Sequence, residues 1–353
     1  MSAGEDGEAV VDEGGGAMAG QHGTPVVSGH GTAVEGERII AVAGEALVDL
    51  VPTGAPGQFA AMPGGSPTNV AVGLGRLEVP VRMLARTGTG TLGDRVRKFL
   101  LDNAIRLDHV VRGSEPTSLA ILDLDANGVA RYDFRIDGTA DWQWTDTDLA
   151  HALDGDVVAL HTGSLAMTQQ PGADTLQRLV RRARPASTIS YDPNMRPQLM
   201  IHDQALARVR EMLPLTDVLK VSSDDLAWLY PGRPVEEVLT DWVACGPAIV
   251  VVTLGPDGAL AATAEDPTPI RRPGRRIEVV DTVGAGDAFA SGLLAGLHRR
   301  DLLGADRRTA LRALGKSDLE ELLDEAILVA ALDCERIGAD PPTAEQVRAQ
   351  GIS

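Results

Sequence analysis

From residue 38 onward the chain repeats one pattern, a short β-prone run followed by a longer segment of helical period, and nothing else restricts its fold as much. The runs lie at 39–44, 81–86, 156–161, 188–192, 218–221 and 248–253. Strands joined through helices pair in parallel and are covered on both faces. The pattern therefore predicts an α/β fold, a three-layer sandwich with a mostly parallel central sheet. With 353 residues and 44% hydrophobic content, the chain can bury a core of that size.

Two stretches break the rhythm. At 118–136, two β-runs flank Asn127-Gly128, a pair that tolerates the positive φ of a tight hairpin turn. In the second arm Arg131, Asp133 and Arg135 alternate with Tyr132, Phe134 and Ile136, which gives one polar and one apolar face. The other break is a β-like run and a Pro/Gly-rich turn at 48–59. Together, over about 48–60 and 115–140, they predict a small β lid outside the core. Two further runs, 259–263 and 276–281, follow one another without a helix and are expected to extend one sheet edge in antiparallel fashion. Residues 1–37 are rich in Gly, Ala, Glu and Asp; ordering them would cost entropy without burial, so they read as a disordered tail before one domain at 38–353.

A net charge of −18 opposes binding to nucleic acid or to an anionic membrane surface, so an anionic ligand needs a local site. The two cysteines, Cys245 and Cys334, have neither metal-knuckle nor redox spacing. With no secretory signal pattern and no apolar run long enough to span a membrane, a cytoplasmic protein is expected.

The chemistry concentrates at 276–299. A β-run ends at Asp281, a Gly284-Ala285-Gly286 turn follows, and a helix rich in small residues is expected to begin near Asp287. Glycines let backbone approach a ligand closely, and a helix N-terminus favours negative charge, so the turn reads as an anion hole. An acid in the first helical turn stands beside it, placed to take the proton of a hydroxyl attacking phosphorus. Asp287 holds that place, although a Gly-x-Gly turn before Asp also serves as a plain strand-to-helix connection.

The segment DTVGAGDAF at 281–289 resembles the C-terminal signature of the ribokinase-like, or PfkB, carbohydrate kinases, and GGSPTN at 64–69 is similar to their N-terminal one. GEALVDLVP at 44–52, DPNMRP at 192–197 and VTLGPDGAL at 252–260 follow the family order, with wording nearest the bacterial fructokinase-like branch. The resemblance implies ATP-dependent phosphorylation of a sugar hydroxyl, with fructose first and 2-keto-3-deoxygluconate, ribose or a nucleoside as alternatives. Asp287 would be the catalytic base, with Gly284, Ala285 and Gly286 as the anion hole. Asp49, Gly64, Gly65, Asn69, Ser164 and Arg196 would face the sugar; Thr253, Gly255, Gly258 and Ser222 would line ATP. Asp225 would meet Mg2+ through water, and the backbone around Asp281 and Val283 would hold K+.

Each residue also has an ordinary explanation. Ser66-Pro67 reads as an N-cap and a first-turn proline. Asp49, Asn69 and Arg196 could be surface polar residues, and residues 255–258 a hairpin turn. His161, before Gly163 and Ser164, is expected to be structural. In place of the family's Asn-x-x-Glu, the chain has Ser222-Ser223-Asp224-Asp225. Partners are expected to be the sugar and ATP, in a monomer or a homodimer paired through the lid.

Two rivals belong to other classes. Gly88, Gly90 and Gly93 satisfy the dinucleotide fingerprint, with Asp108 beyond, and would serve an NAD(P)-dependent oxidoreductase. An inactive sugar-binding relative would keep the fold without the chemistry. A Walker loop is set aside, because Ala310 replaces the first glycine ahead of Gly315-Lys316-Ser317.

Overall fold

A computed structural model describes residues 37–351 apart from residue 56 and residues 125–129, and apart from the side chains of 123, 124, 130 and 131. The tail expected at 1–37, save its last residue, the Asn127-Gly128 turn and the Arg131 side chain lie outside the described residues. In chain order the strands are β1 (Ile39–Ala43), β2 (Leu47–Pro52), β3 (Phe59–Gly64), β4 (Val81–Thr87), β5 (Val110–Arg112), β6 (Leu119–Leu124), β7 (Ala130–Arg135), β8 (Val157–Gly163), β9 (Thr188–Asp192), β10 (Val218–Ser222), β11 (Ile249–Thr253), β12 (Ala259–Thr263) and β13 (Ile270–Arg272). The helices are α1 (Ser66–Arg76), α2 (Thr91–Asp102), α3 (Gly172–Ala183), α4 (His202–Met212), α5 (Ser223–Leu229), α6 (Val235–Ala244), α7 (Ala285–Arg299), α8 (Arg308–Arg312), α9 (Lys316–Cys334) and α10 (Ala344–Arg348).

The main sheet has the order β13-β12-β11-β10-β9-β8-β1-β4-β5. Its pairs are parallel from β5 through to β11, and β12 and β13 close the other edge in antiparallel fashion. Alternation along β1 shows why both faces are dry. Ile40 and Val42 enter one core with Leu74 of α1, Leu293 of α7 and Leu322 of α9, while Ala41 and Ala43 enter the other with Leu176 of α3, Val209 of α4 and Trp242 of α6. The three-layer α/β sandwich is the observed fold.

The far edge corrects one expectation. Residues 276–281 form no strand; the closing strand is β13, which lies between the two expected runs. The amides of Val280 and Asp281 both donate to the Cys334 carbonyl at the end of α9, so this backbone is committed to a helix terminus rather than a sheet edge.

A second sheet, order β3-β2-β6-β7, stands apart from the first. It gains a hairpin that the sequence showed only as one run and a turn, β2 folding back on β3 with Asp49 opposite Met62. Through β2 and β6, Asp49 also neighbours Ala120, which is opposite Phe134, and Leu122 is opposite Tyr132. Side chains alternate across a sheet, so Asp49, Met62, Tyr132 and Phe134 share one face, whereas Arg135, opposite Leu119, belongs to the other with Val48. Tyr132 and Phe134 stack at 5.7 Å between ring centroids.

Candidate active site

Helix α7 begins at Ala285, two residues earlier than expected, because Gly284 takes the N-cap with φ 88°. Only glycine adopts that conformation readily, and a Cβ there would lie 2.6 Å from the Ala339 Cβ. The first-turn amides have no partner within the helix and carry the positive end of its dipole. Asp287, 8% exposed, is the third helical residue beside them.

Two residues of α1 grip this carboxylate: Ser66 Oγ donates to Oδ1 at 2.6 Å and Asn69 Nδ2 to Oδ2 at 2.8 Å. The helices approach this closely because Gly73 faces Ser291, whose Oγ would stand 2.4 Å from a Cβ at 73. Ser66 is therefore not the helix cap it was expected to be. Gly65 occupies that position, and the Ser66 hydroxyl is spent on Asp287. Burial pushes the Asp287 carboxyl above its usual range, while Ser66, Asn69 and the Lys220 ammonium oppose the shift.

Asp49, on β2, has its carboxyl pushed up to about 6, by burial first, with Arg196 pulling it down and Asp287 pushing it up. Room for it comes from Gly64, where a Cβ would fall 2.2 Å from Asp49 Oδ2. Gly65 is fixed by φ 104° and by the Glu45 carbonyl, 2.8 Å from where its Cβ would be. Arg196 is folded over its own loop, donating from Nη1 to Asn194 Oδ1 at 2.7 Å and to the Met195 carbonyl at 2.9 Å. Ser164 follows β8 with φ 55° and its amide on the Asp192 carbonyl. His161 is buried against Ser190 Oγ and held neutral, its pKa lowered to about 3 by burial and then by Lys220.

Thr253 and Ser222 are neighbours in register at the carboxyl ends of β11 and β10, the edge where open α/β sheets bind ligands. Ser222 caps α5, accepting from the Asp225 amide. Asp225 returns the bond to the Ser222 amide and takes the Met195 amide at 2.9 Å, so both of its oxygens are engaged by backbone. Gly255 is exposed in a short turn, whereas a Cβ on Gly258 would strike the Arg272 carbonyl at 2.1 Å, a packing demand. Asp281 accepts from the Val283 amide at 3.0 Å and from the Gly338 amide at 2.8 Å, tying the loop before α7 to the segment after α9.

Several groups escaped the motif reading. Lys220 pairs with Asp192 at 2.8 Å beneath the α7 turn. Glu45, wholly buried with its carboxyl pushed up to about 7 by burial, accepts from the Ala166 amide. Asp141 accepts from the Ala46 amide and from Ser118 Oγ, joining the two sheets at their root. Asp333, 1% exposed with both oxygens unpartnered, lies against Gly284, its carboxyl pushed up to about 7 by burial and then by Asp287. A lone acid or lysine in an otherwise apolar run was the available signal.

The family model described as "pfkB family carbohydrate kinase" matches residues 38–346. The chain belongs to the pfkB family of carbohydrate kinases. It is 33% identical over 263 residues to a fructokinase of Rhizobium leguminosarum bv. trifolii, covering 73% of this chain and 79% of that protein. Among solved structures it is similar to the ATP-bound fructokinase of Xylella fastidiosa, with TM-score 0.81, 27% identity and coverage of 89% of this chain and 98% of that one. It is also similar to a fructokinase double mutant of Vibrio cholerae O395 in a fructose-, ADP- and potassium-bound form, with TM-score 0.75, 26% identity and coverage of 90% and 99%. As a carbohydrate kinase the protein is a phosphotransferase, not an oxidoreductase. Gly88 and Gly93 of the fingerprint have a packing role: a Cβ on Gly93 would meet the Gly88 carbonyl at 1.8 Å, and one on Gly88 the Thr117 amide at 2.5 Å, whereas Gly90 serves its backbone, with φ 93°.

Proposed function

We propose that the protein transfers the γ-phosphoryl group of ATP to a hydroxyl of fructose, with Asp287 as base. The observation that carries this is the Asp287 carboxylate, gripped by Ser66 and Asn69 beside the first-turn amides of α7. As the hydroxyl oxygen bonds to phosphorus and the bond to ADP breaks, its proton passes to an Asp287 oxygen. Amides of Ala285 and Gly286, capped by Gly284, face the charge that develops on the transferring group. Asp49, Arg196, Asn69, Ser164 and the backbone at Gly64 and Gly65 hold sugar hydroxyls; a carboxylate accepts them and an amide both donates and accepts. The nucleotide lies along Ser222, Thr253 and the turn from Gly255 to Gly258, on the neighbouring strand ends. Fructose is favoured over other sugars because the named relatives are fructokinases.

Mg2+ accompanies the nucleotide phosphates, where it neutralises charge. Asp225, each of whose oxygens already takes one backbone amide, would meet it through water. A monovalent cation such as K+ would suit the loop of Asp281 and Val283, next to Gly284, against which the buried Asp333 side chain lies with both oxygens unpartnered. The small sheet acts as a lid, with Tyr132 and Phe134 beside Asp49 excluding water from the transfer. Met62 and Tyr132, exposed on one face of the small sheet, support pairing of two copies there in place of a monomer. Two free cysteines fit a cytoplasmic location, and the net charge disfavours nucleic acid or membrane as partner.

The test is ADP release with ATP and Mg2+ across fructose, ribose, 2-keto-3-deoxygluconate, fructose 6-phosphate and nucleosides. Fructose should give the highest kcat/KM; a higher value for another sugar would move the assignment to that sugar. No ADP with any of them would favour an inactive relative.

A further inference from the structure

Lys220 stands in the apolar run Val218-Leu219-Lys220-Val221, its side chain 7% exposed, and donates from Nζ to Asp192 Oδ2 at 2.8 Å. Nζ also lies 2.9 Å from where a Cβ would stand on Gly286, directly behind the anion-hole turn. Burial pulls the pKa of this amine down, but Asp192, Asp287 and Asp225 together hold it above the usual range. A buried ion pair is a poor source of stability. This one is also incomplete as a strand tie, because Asp192 Oδ1 is buried without a partner.

We propose that Lys220 is a positioning residue for phosphoryl transfer. From behind Gly286, and oriented by Asp192, its ammonium adds fixed positive potential to the turn that carries Asp287 and where phosphoryl charge develops. The inference rests on the kinase assignment above. The groups acting on Asp287 are Ser66 and Asn69 from α1, Asp192 from β9, Lys220 from β10, Asp333 from α9 and Asp49 from the small sheet. Lys220 is the cation among them, and it favours the ionised base against three acids. It also gives the second glycine of the turn a local reason: any side chain at 286 would press on the ammonium.

The experiment compares kcat–pH profiles with the preferred sugar, and thermal unfolding, for wild type, Lys220→Met, Lys220→Met/Asp192→Asn and Gly286→Ala. Lys220→Met should lower kcat by about a hundredfold with KM for the sugar nearly unchanged. Its acid limb should move to higher pH, because loss of a cation disfavours the carboxylate. The double variant should recover unfolding temperature, since no buried charge is left alone, yet keep a low kcat and a limb displaced the same way, though less. Gly286→Ala, which keeps both charges, should lower kcat and move the limb in that direction by displacing the ammonium. A wild-type kcat and acid limb in Lys220→Met would overturn the proposal. So would their return in the double variant, which would make the pair a strand tie. If Lys220→Met does not fold, the double variant and Gly286→Ala decide by the same criteria. Absence of ADP from the wild type with every sugar would overturn the kinase assignment itself, a separate outcome.

Discussion

Asp287 and Asp49 are both carboxylates of the site, and both have pKa values raised first by burial, but they are held on different terms. Asp287 stands on a helix packed between α1 and α9, receives two side-chain hydrogen bonds and feels the buried Lys220 ammonium that lies behind the neighbouring Gly286. Asp49 stands on a strand of the small sheet, in space that exists because residue 64 lacks a side chain, across from Met62, which is 47% exposed. The first is fixed from several directions at once; the second can shift with its sheet. A base must be held within a fraction of an ångström of the attacking hydroxyl, whereas recognition gains from a surface that closes after the sugar arrives. On the proposed function, chemistry would belong to the floor of the site and selection to its cover.

Substitutions on the two sides should separate in kinetics. Asp287→Asn is expected to lower kcat by about 10²–10⁴, the range for loss of a general base, as steady-state ADP release would show. Asp49→Asn should instead act mainly on KM for fructose, raising it about tenfold to a hundredfold through loss of charge-assisted hydrogen bonds. A fall confined to kcat would break the division.

Ser66→Ala tests the floor more finely. It removes one bond to the base, and a loss of about tenfold in kcat is expected. Because that bond favours the ionised form, the acid limb of the kcat–pH profile should move to higher pH; an unmoved limb would mean that the bond does not set the charge of Asp287. The smallest effects belong to the cover. Tyr132→Ala should raise KM for fructose a few-fold and increase ADP release without sugar, while Arg135→Ala, on the opposite face and already paired with Asp133, should change neither.

Much of this is legible in the sequence. Runs such as 248–253 announce buried parallel strands locally, so the layer order followed from the chain. Residues 276–281 misled because Val279 and Val280 look like strand residues, yet both are exposed and the amides of Val280 and Asp281 belong to the distant Cys334 carbonyl. Asp287 was legible because its turn is contiguous. Ser66 was not: its partner lies 221 residues away, and its local pattern with Pro67 imitates a cap. Lys220 carried a signal, a single charge in an apolar strand, but its bond to Asp192 spans 28 residues and its approach to Gly286 exists only in the folded chain.

The most direct test of the central claim is one preparation of Asp287→Asn measured two ways beside the wild type, by calorimetric titration with fructose and by ADP release with fructose, ATP and Mg2+. The account predicts fructose affinity within a few-fold of wild type together with near-complete loss of ADP release, because the substitution preserves shape and removes the proton acceptor. ADP release at the wild-type rate would contradict it.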